Sequence, residues 1–139
     1  MELSTTVRNS MLDAIDDDVT TDGYFRLYNQ DPDTATGLIK IASCGGNNPF
    51  FENAGTGTAG VMSMDNSPAV EDTAPAAGTV TYAGIYDGTA AAANAWLVKL
   101  GVDTTGSPDL TMANNTVATT DTVQITSFSI TMPAGTPAT

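Results

Sequence analysis

The sequence predicts an all-β chain, an antiparallel β-sandwich of jelly-roll-like form carrying one short N-terminal amphipathic helix. Three observations lead there. First, about seven or eight short apolar or alternating segments follow one another at close spacing, with no strand–helix–strand rhythm. Second, the composition is rich in Thr, Gly and Ala, and only 14% of residues are charged, which suits strands and turns better than solvated helices. Third, the stretch from Asp121 to Met132 changes phase. Its apolar residues are Val123 and Ile125, then Phe128, Ile130 and Met132. Side chains alternate faces along a strand, so this change near Ser127 requires a bulge, a bend, or a passage from one sheet to another.

Taken in order, Ser4 to about Asp16 reads as the helix. Leu3, Val7, Met11, Ala14 and Ile15 recur at helical spacing, and Ser4 or Thr5 can cap the start. Asp16, Asp17 and Asp18 oppose the helix dipole at a C-terminus, so the helix is expected to stop near Ile15. The stripe is expected to pack on the β body or on a neighbouring subunit. Gly23–Asn29 and Gly37–Ser43 are the first two strands, separated by Asp31-Pro32-Asp33 and followed by a turn from Cys44 to Pro49. Thr58–Met64 is a third strand, ending at Asp65–Pro68, and Ala69–Gly78 reads as an acidic, Pro-containing loop. Thr79–Tyr86 is a strand. The alanine run within Thr89–Ala93 is too short to hold a helix alone. Asn94–Val102 is a strand with Trp96 as a core anchor, and Asp103–Pro108 is a turn. Asp109–Ala113 is a short strand and Thr116–Thr120 a strand edge or loop. The expected organisation is a helical arm over 1–18, a sandwich domain over 19–133 and a tail over 134–139.

A chain of 139 residues can bury a real core as one domain. The formal net charge of −12 repels a phosphate backbone, so no direct nucleic-acid binding is expected. No apolar run approaches the ~20 residues of a membrane span. The first residues lack the basic and apolar regions of a secretory signal, so a soluble chain made in a cytoplasm is expected.

Enzyme signatures are scarce. The chain has no histidine, which excludes Ser-His-Asp and Cys-His arrangements. Gly55-Thr56-Gly57-Thr58 lacks the lysine of a phosphate loop. The acids Asp16, Asp17, Asp18, Asp22, Asp31 and Asp33 sit in turn-like context and read as solvated loops. Their spacing lacks the Asp-x-Asp-x-Asp-Gly pattern of a calcium loop. The single cysteine, Cys44, cannot form an internal disulfide, has no basic neighbour in sequence, and reads as a small residue at a strand end. Phe50 and Phe51 are adjacent, so either one is core and the other exposed at a subunit contact, or both are buried in an irregular loop.

Several stretches together carry a resemblance. They are Val7-Arg8-Asn9-Ser10-Met11-Leu12-Asp13-Ala14, Arg26-Leu27-Tyr28-Asn29 leading to Pro32-Asp33-Thr34-Ala35-Thr36-Gly37, and Asn94-Ala95-Trp96-Leu97. Gly106-Ser107-Pro108-Asp109-Leu110-Thr111-Met112 and the closing segment from Thr122 to Gly135 complete the set. In this order they resemble a family of small structural proteins of tailed phages and prophages. The loop from Cys44 to Phe51 and the alanine run depart from the family's pattern. The resemblance implies a virion component without catalysis or cofactor. Within that class it implies a capsid decoration (cement) protein, commonly trimeric, whose partner is the major capsid protein where capsomers meet. It would be located in the virion, assembled in the host cytoplasm. Val7 and Met11 on the helix, with Phe50 and Phe51, are the expected contact residues. A tail or head-tail connector component is an alternative. So is a carbohydrate-binding module using Tyr24, Tyr28, Tyr82 and Tyr86, although their alternation favours a buried or interfacial face.

Overall fold

A computed structural model describes residues 2–19, 23–34, 37–45, 50–65, 69–105 and 109–135. Asp22, the turns placed at 46–49, 66–68 and 106–108, and the last four residues of the tail lie outside the described residues. The chain is mostly β with one helix, α1 (Thr5–Val19). A curled, half-barrel sheet dominates it. The seven strands of that sheet are β1 (Tyr24–Tyr28), β2 (Lys40–Gly45), β4 (Val70–Thr73), β6 (Tyr82–Tyr86), β7 (Val98–Asp103), β8 (Leu110–Thr111) and β10 (Thr122–Ile125). Their order across the sheet is β10-β4-β2-β1-β6-β7-β8. Pairing is antiparallel except between β7 and β8, which run parallel. Two further ribbons are β3 (Val61–Ser63) with β11 (Ser129–Thr131), and β5 (Gly78–Thr79) with β9 (Thr116–Val117).

The phase change in the closing segment has its explanation here. β10 belongs to the large sheet, and β11 to the ribbon with β3. Between them, Thr126 to Phe128 carries the chain across. Val123 and Ile125 are buried before the crossing, and Phe128, Ile130 and Met132 pack against the core after it. The Phe128 ring stands edge-on to Phe25 of β1 at 4.9 Å, so the crossing itself fills the core.

β1 lies at the middle of the sheet and is covered on both faces. Phe25 and Leu27 are fully buried on one face. On the other, Tyr24 and Tyr28 stand opposite Tyr86 and Tyr82 of β6. Arg26 stacks over the Tyr86 ring at 4.5 Å and donates to the Ala90 carbonyl, while Tyr86 Oη donates to the Ala93 carbonyl at 2.5 Å. The alanine run is thereby held as a cover over the tyrosine face, which overrides its helix propensity.

Four expectations are corrected. The helix runs on to Val19, not Ile15, because Val19 is fully buried. That burial contributes about 1.5–3 kcal/mol. The exposed acids Asp17 and Asp18 oppose the dipole by only about 0.3–1 kcal/mol each. The segment read as a loop over 69–78 contains β4, where Val70 is fully buried and the Asp72 carboxylate accepts from Ser43 N at 2.9 Å. The strand expected over 79–86 is broken after Thr79, since Val80 N turns to Asn115 O and Thr81 N to Tyr28 O. Trp96 lies outside β7 and is only half-buried, because its indole N–H is drawn to a surface carboxylate. Leu12 and Val19 of the helix share one apolar cluster with the strands, so the helix packs on the β body, one of the two placements expected for it.

Candidate interaction surface

The helix is the element whose two faces differ most in what they meet. Ser4 Oγ accepts from Val7 N at 3.3 Å and caps its start. The apolar stripe turned inward is Leu12, Ile15 and Val19. It is as regular as the stripe read from the sequence, but it becomes visible only when the helix is extended past the acidic run. Polar residues beside it anchor the helix to the loop before β3. Asn9 Oδ1 accepts from Gly60 N and Asp13 Oδ1 from Ala54 N, both at 2.9 Å, and Arg8 Nη1 donates to Met132 O at 3.2 Å. Gly55 and Gly60 pass close beneath with φ of 78° and 74°, and a Cβ on either would come within 2.3 Å of Asn9 or Arg8. These two positions need glycine for both reasons.

With the inner face committed, Val7 and Met11 point outward one turn apart, 46% and 45% exposed. Large apolar side chains on an anchored helix, half in water, form the candidate contact surface. Phe50 and Phe51 do not join it. Both are fully buried, and their rings meet edge-to-face at 5.0 Å. Phe50 also packs on Phe25 at 5.7 Å. The expectation that they contact a partner is corrected to the second reading of the pair, burial of both in an irregular segment. An isolated bridge pairs Phe51 with Met64, and Glu52 N donates to Ser63 O. The backbone around the two rings is thus tied to β3, and the side chains sink away from the surface.

The acids resolve into separate roles. Asp16, near the Phe51 backbone, is raised above the usual carboxylate range by burial and by its neighbours Asp17 and Asp13. Asp31 and Asp33 are joined through Lys99, whose Nζ lies 3.1 Å from one and 2.6 Å from the other. The Trp96 indole donates to Asp33 at 2.8 Å, and Lys99 sits 5.4 Å from the Trp96 ring centroid. The bonds from Lys99 and Trp96 hold Asp33 below the ordinary carboxylate range, and those same carboxylates hold Lys99 above the ordinary amine range. This cluster ties the turn after β1 to the start of β7. Among the described residues, no three of His, Cys, Asp or Glu gather closely enough to hold a metal ion.

Cys44 is buried, and its Sγ donates to Val123 O at 3.3 Å. Burial, with Asp72 nearby, pushes the thiol up to about 12, so the nucleophilic thiolate is scarce at neutral pH. Tyr28 and Tyr86 are buried and Tyr24 and Tyr82 half-buried, so the four do not form an exposed aromatic platform. Comparison with protein-family models, curated proteins and solved structures finds no match to this chain.

Proposed function

We propose that this chain is a virion structural protein of a tailed phage, a capsid decoration protein that binds between capsomers and stabilises the mature head. The proposal includes a jelly-roll-like sandwich, in which the large sheet forms one layer and the β3–β11 ribbon, with the helix, forms the second. Two things support the reading. One is the sequence resemblance, which spans the helix, the Trp96 segment and the closing segment. The other, which carries the mechanism, is the exposed pair Val7 and Met11 on a helix whose inner face is fixed in the body. A rigid apolar ledge of this kind adds buried area across a capsid joint with little ordering cost. Association of three copies about a local threefold axis would multiply a modest contact by avidity. A protein that prefers the expanded lattice stabilises that lattice in proportion to the preference.

The experiment uses substitution rather than deletion, because removing the helix also removes Leu12 from the core. Expanded capsids lacking the protein are mixed with wild type and with a Val7→Asp, Met11→Asp double variant, and occupancy is read by sedimentation and cryo-electron microscopy. Wild type is expected to cover the shell in many copies and the double variant to be lost. Undiminished occupancy of a folded double variant removes the helix from the mechanism. Failure of wild type to bind any capsid state removes the decoration reading, and a few copies confined to one vertex would indicate a connector or tail part.

A further inference from the structure

The large sheet is curled but not closed, and its two outermost strands, β8 and β10, border the same groove. That groove holds about 470 Å³ and is lined by Leu110, Thr111 and Met112 on one side and by Val123, Gln124 and Ile125 on the other. A second hollow of about 460 Å³ continues it, sharing Leu110, Thr111, Thr126 and Ser127. Volumes of this size accommodate a short peptide rather than a single ion. Leu110, Val117, Val123 and Ile125 give the groove an apolar lining, all of them nearly buried.

Both borders expose backbone. Asp121 O accepts from Ala74 N, and Val123 O accepts from the Cys44 thiol, so the odd residues of β10 face β4. Strand alternation then directs the N–H and C=O of Thr122 and Gln124 away from β4, where β10 has no second strand partner among the described residues. Across the groove, Met112 N donates to Asp103 O, so Leu110 and Met112 face β7 and Thr111 turns its backbone outward. An unpaired edge with an apolar lining is a template for strand addition.

Charge selects the occupant. The lining includes Asp121 in the first hollow and Asp109 in the second, and among the described residues neither hollow is lined by Lys or Arg. A second copy of this chain could offer the groove few basic side chains, since the sequence holds only four Lys and Arg. We propose that the groove between β8 and β10 binds an extended segment of another protein, with apolar side chains at alternate positions and Lys or Arg at its ends, as an added β-strand. This goes beyond the virion reading and does not depend on it.

The test immobilises the full chain and selects from a displayed library of random short peptides. Recovered peptides are expected to alternate apolar and polar residues and to carry Lys or Arg. Their addition should slow hydrogen exchange at the Thr111, Thr122 and Gln124 amides. Gln124→Pro removes an outward N–H without touching the β4 ladder, and should weaken binding roughly three- to tenfold. Gln124→Lys, which keeps the backbone intact, should weaken lysine-bearing peptides more than the same peptides with Gln in place of Lys, and it decides the matter where the proline variant does not fold. Recovery of no peptide, recovery of acidic ones, unchanged affinity in the Gln124→Lys variant, or protection of these amides by self-association at rising concentration would each overturn the proposal.

Discussion

Replacing Phe50 by Ala tests whether the Phe50–Phe51 pair belongs to the core. The Phe50 ring is fully buried, meets Phe51 edge-to-face at 5.0 Å and Phe25 at 5.7 Å, and closes over Gly23 beside Val19. Truncation opens a cavity bordered by the helix and β1, neither of which can collapse into it. Val19 is held by its own burial, and β1 is paired on both sides. A buried Phe→Ala change of this type costs about 3–5 kcal/mol. That is a large share of the ~5–15 kcal/mol that keeps a domain folded. Met11→Ser, on the exposed face of the helix, should stay within about 0.5 kcal/mol. Urea unfolding followed by far-UV circular dichroism and by Trp96 fluorescence measures both. Trp96 reports on the cluster it forms with Asp33 and Lys99, so agreement of the two probes also tests two-state behaviour. A Phe50→Ala loss below about 1 kcal/mol, or one no larger than that of Met11→Ser, would refute the core assignment and return the ring to the surface.

Asp16 supplies a pH dependence. Its folded-state carboxyl titrates above the ordinary value, so the folded chain keeps that proton to higher pH than the unfolded chain does. Stability from this group is therefore greatest in acid and falls as pH rises through the folded value. Asp16→Asn should be more stable than wild type at neutral pH, because it removes a charge that burial and the neighbouring Asp17 disfavour, and the gain should vanish in acid. A gain that persists unchanged below the carboxylate range would contradict this account. For Cys44, a thiol reagent should react with the native chain far more slowly than with the urea-unfolded chain, since burial and the raised pKa both oppose attack. Equal rates would show that the site opens freely.

The closing segment was the most legible part of the sequence, because a phase change in alternation has few structural solutions and the chain adopts one of them. β1 was nearly as clear, its Tyr-Phe-Arg-Leu-Tyr pattern sending Phe25 and Leu27 one way and the tyrosines the other. The helix was legible in position but not in orientation. Two stripes of similar quality exist, and choosing between them depends on Val19, which lies beyond an acidic run that local electrostatics alone would place outside the helix. Trp96 misled for a related reason. Alternation with Val98, Leu100 and Val102 suggested the core, whereas the indole N–H is satisfied by Asp33, distant in sequence. β4 was hidden by its acids, which a strand paired between β2 and β10 tolerates because Glu71 is exposed and Asp72 has a backbone donor in Ser43. Of the expected contact residues, Val7 and Met11 are placed outward, while Phe50 and Phe51 illustrate that adjacency alone does not say where an irregular loop will turn.

Leu3 N donates to Ala134 O at 2.7 Å, and Arg8 reaches Met132 O from the second turn of the helix. Joining residues so far apart in sequence has a consequence for how the chain comes into being. During synthesis the body of the helix can dock as soon as residues 50–63 emerge, but its start stays unsecured until Met132 and Ala134 have been made. Folding of this topology is governed by long loop closures and belongs to the slower range of single domains, about milliseconds to seconds. A product truncated before Thr122 would therefore leave uncovered the part of the core on which Phe128 packs.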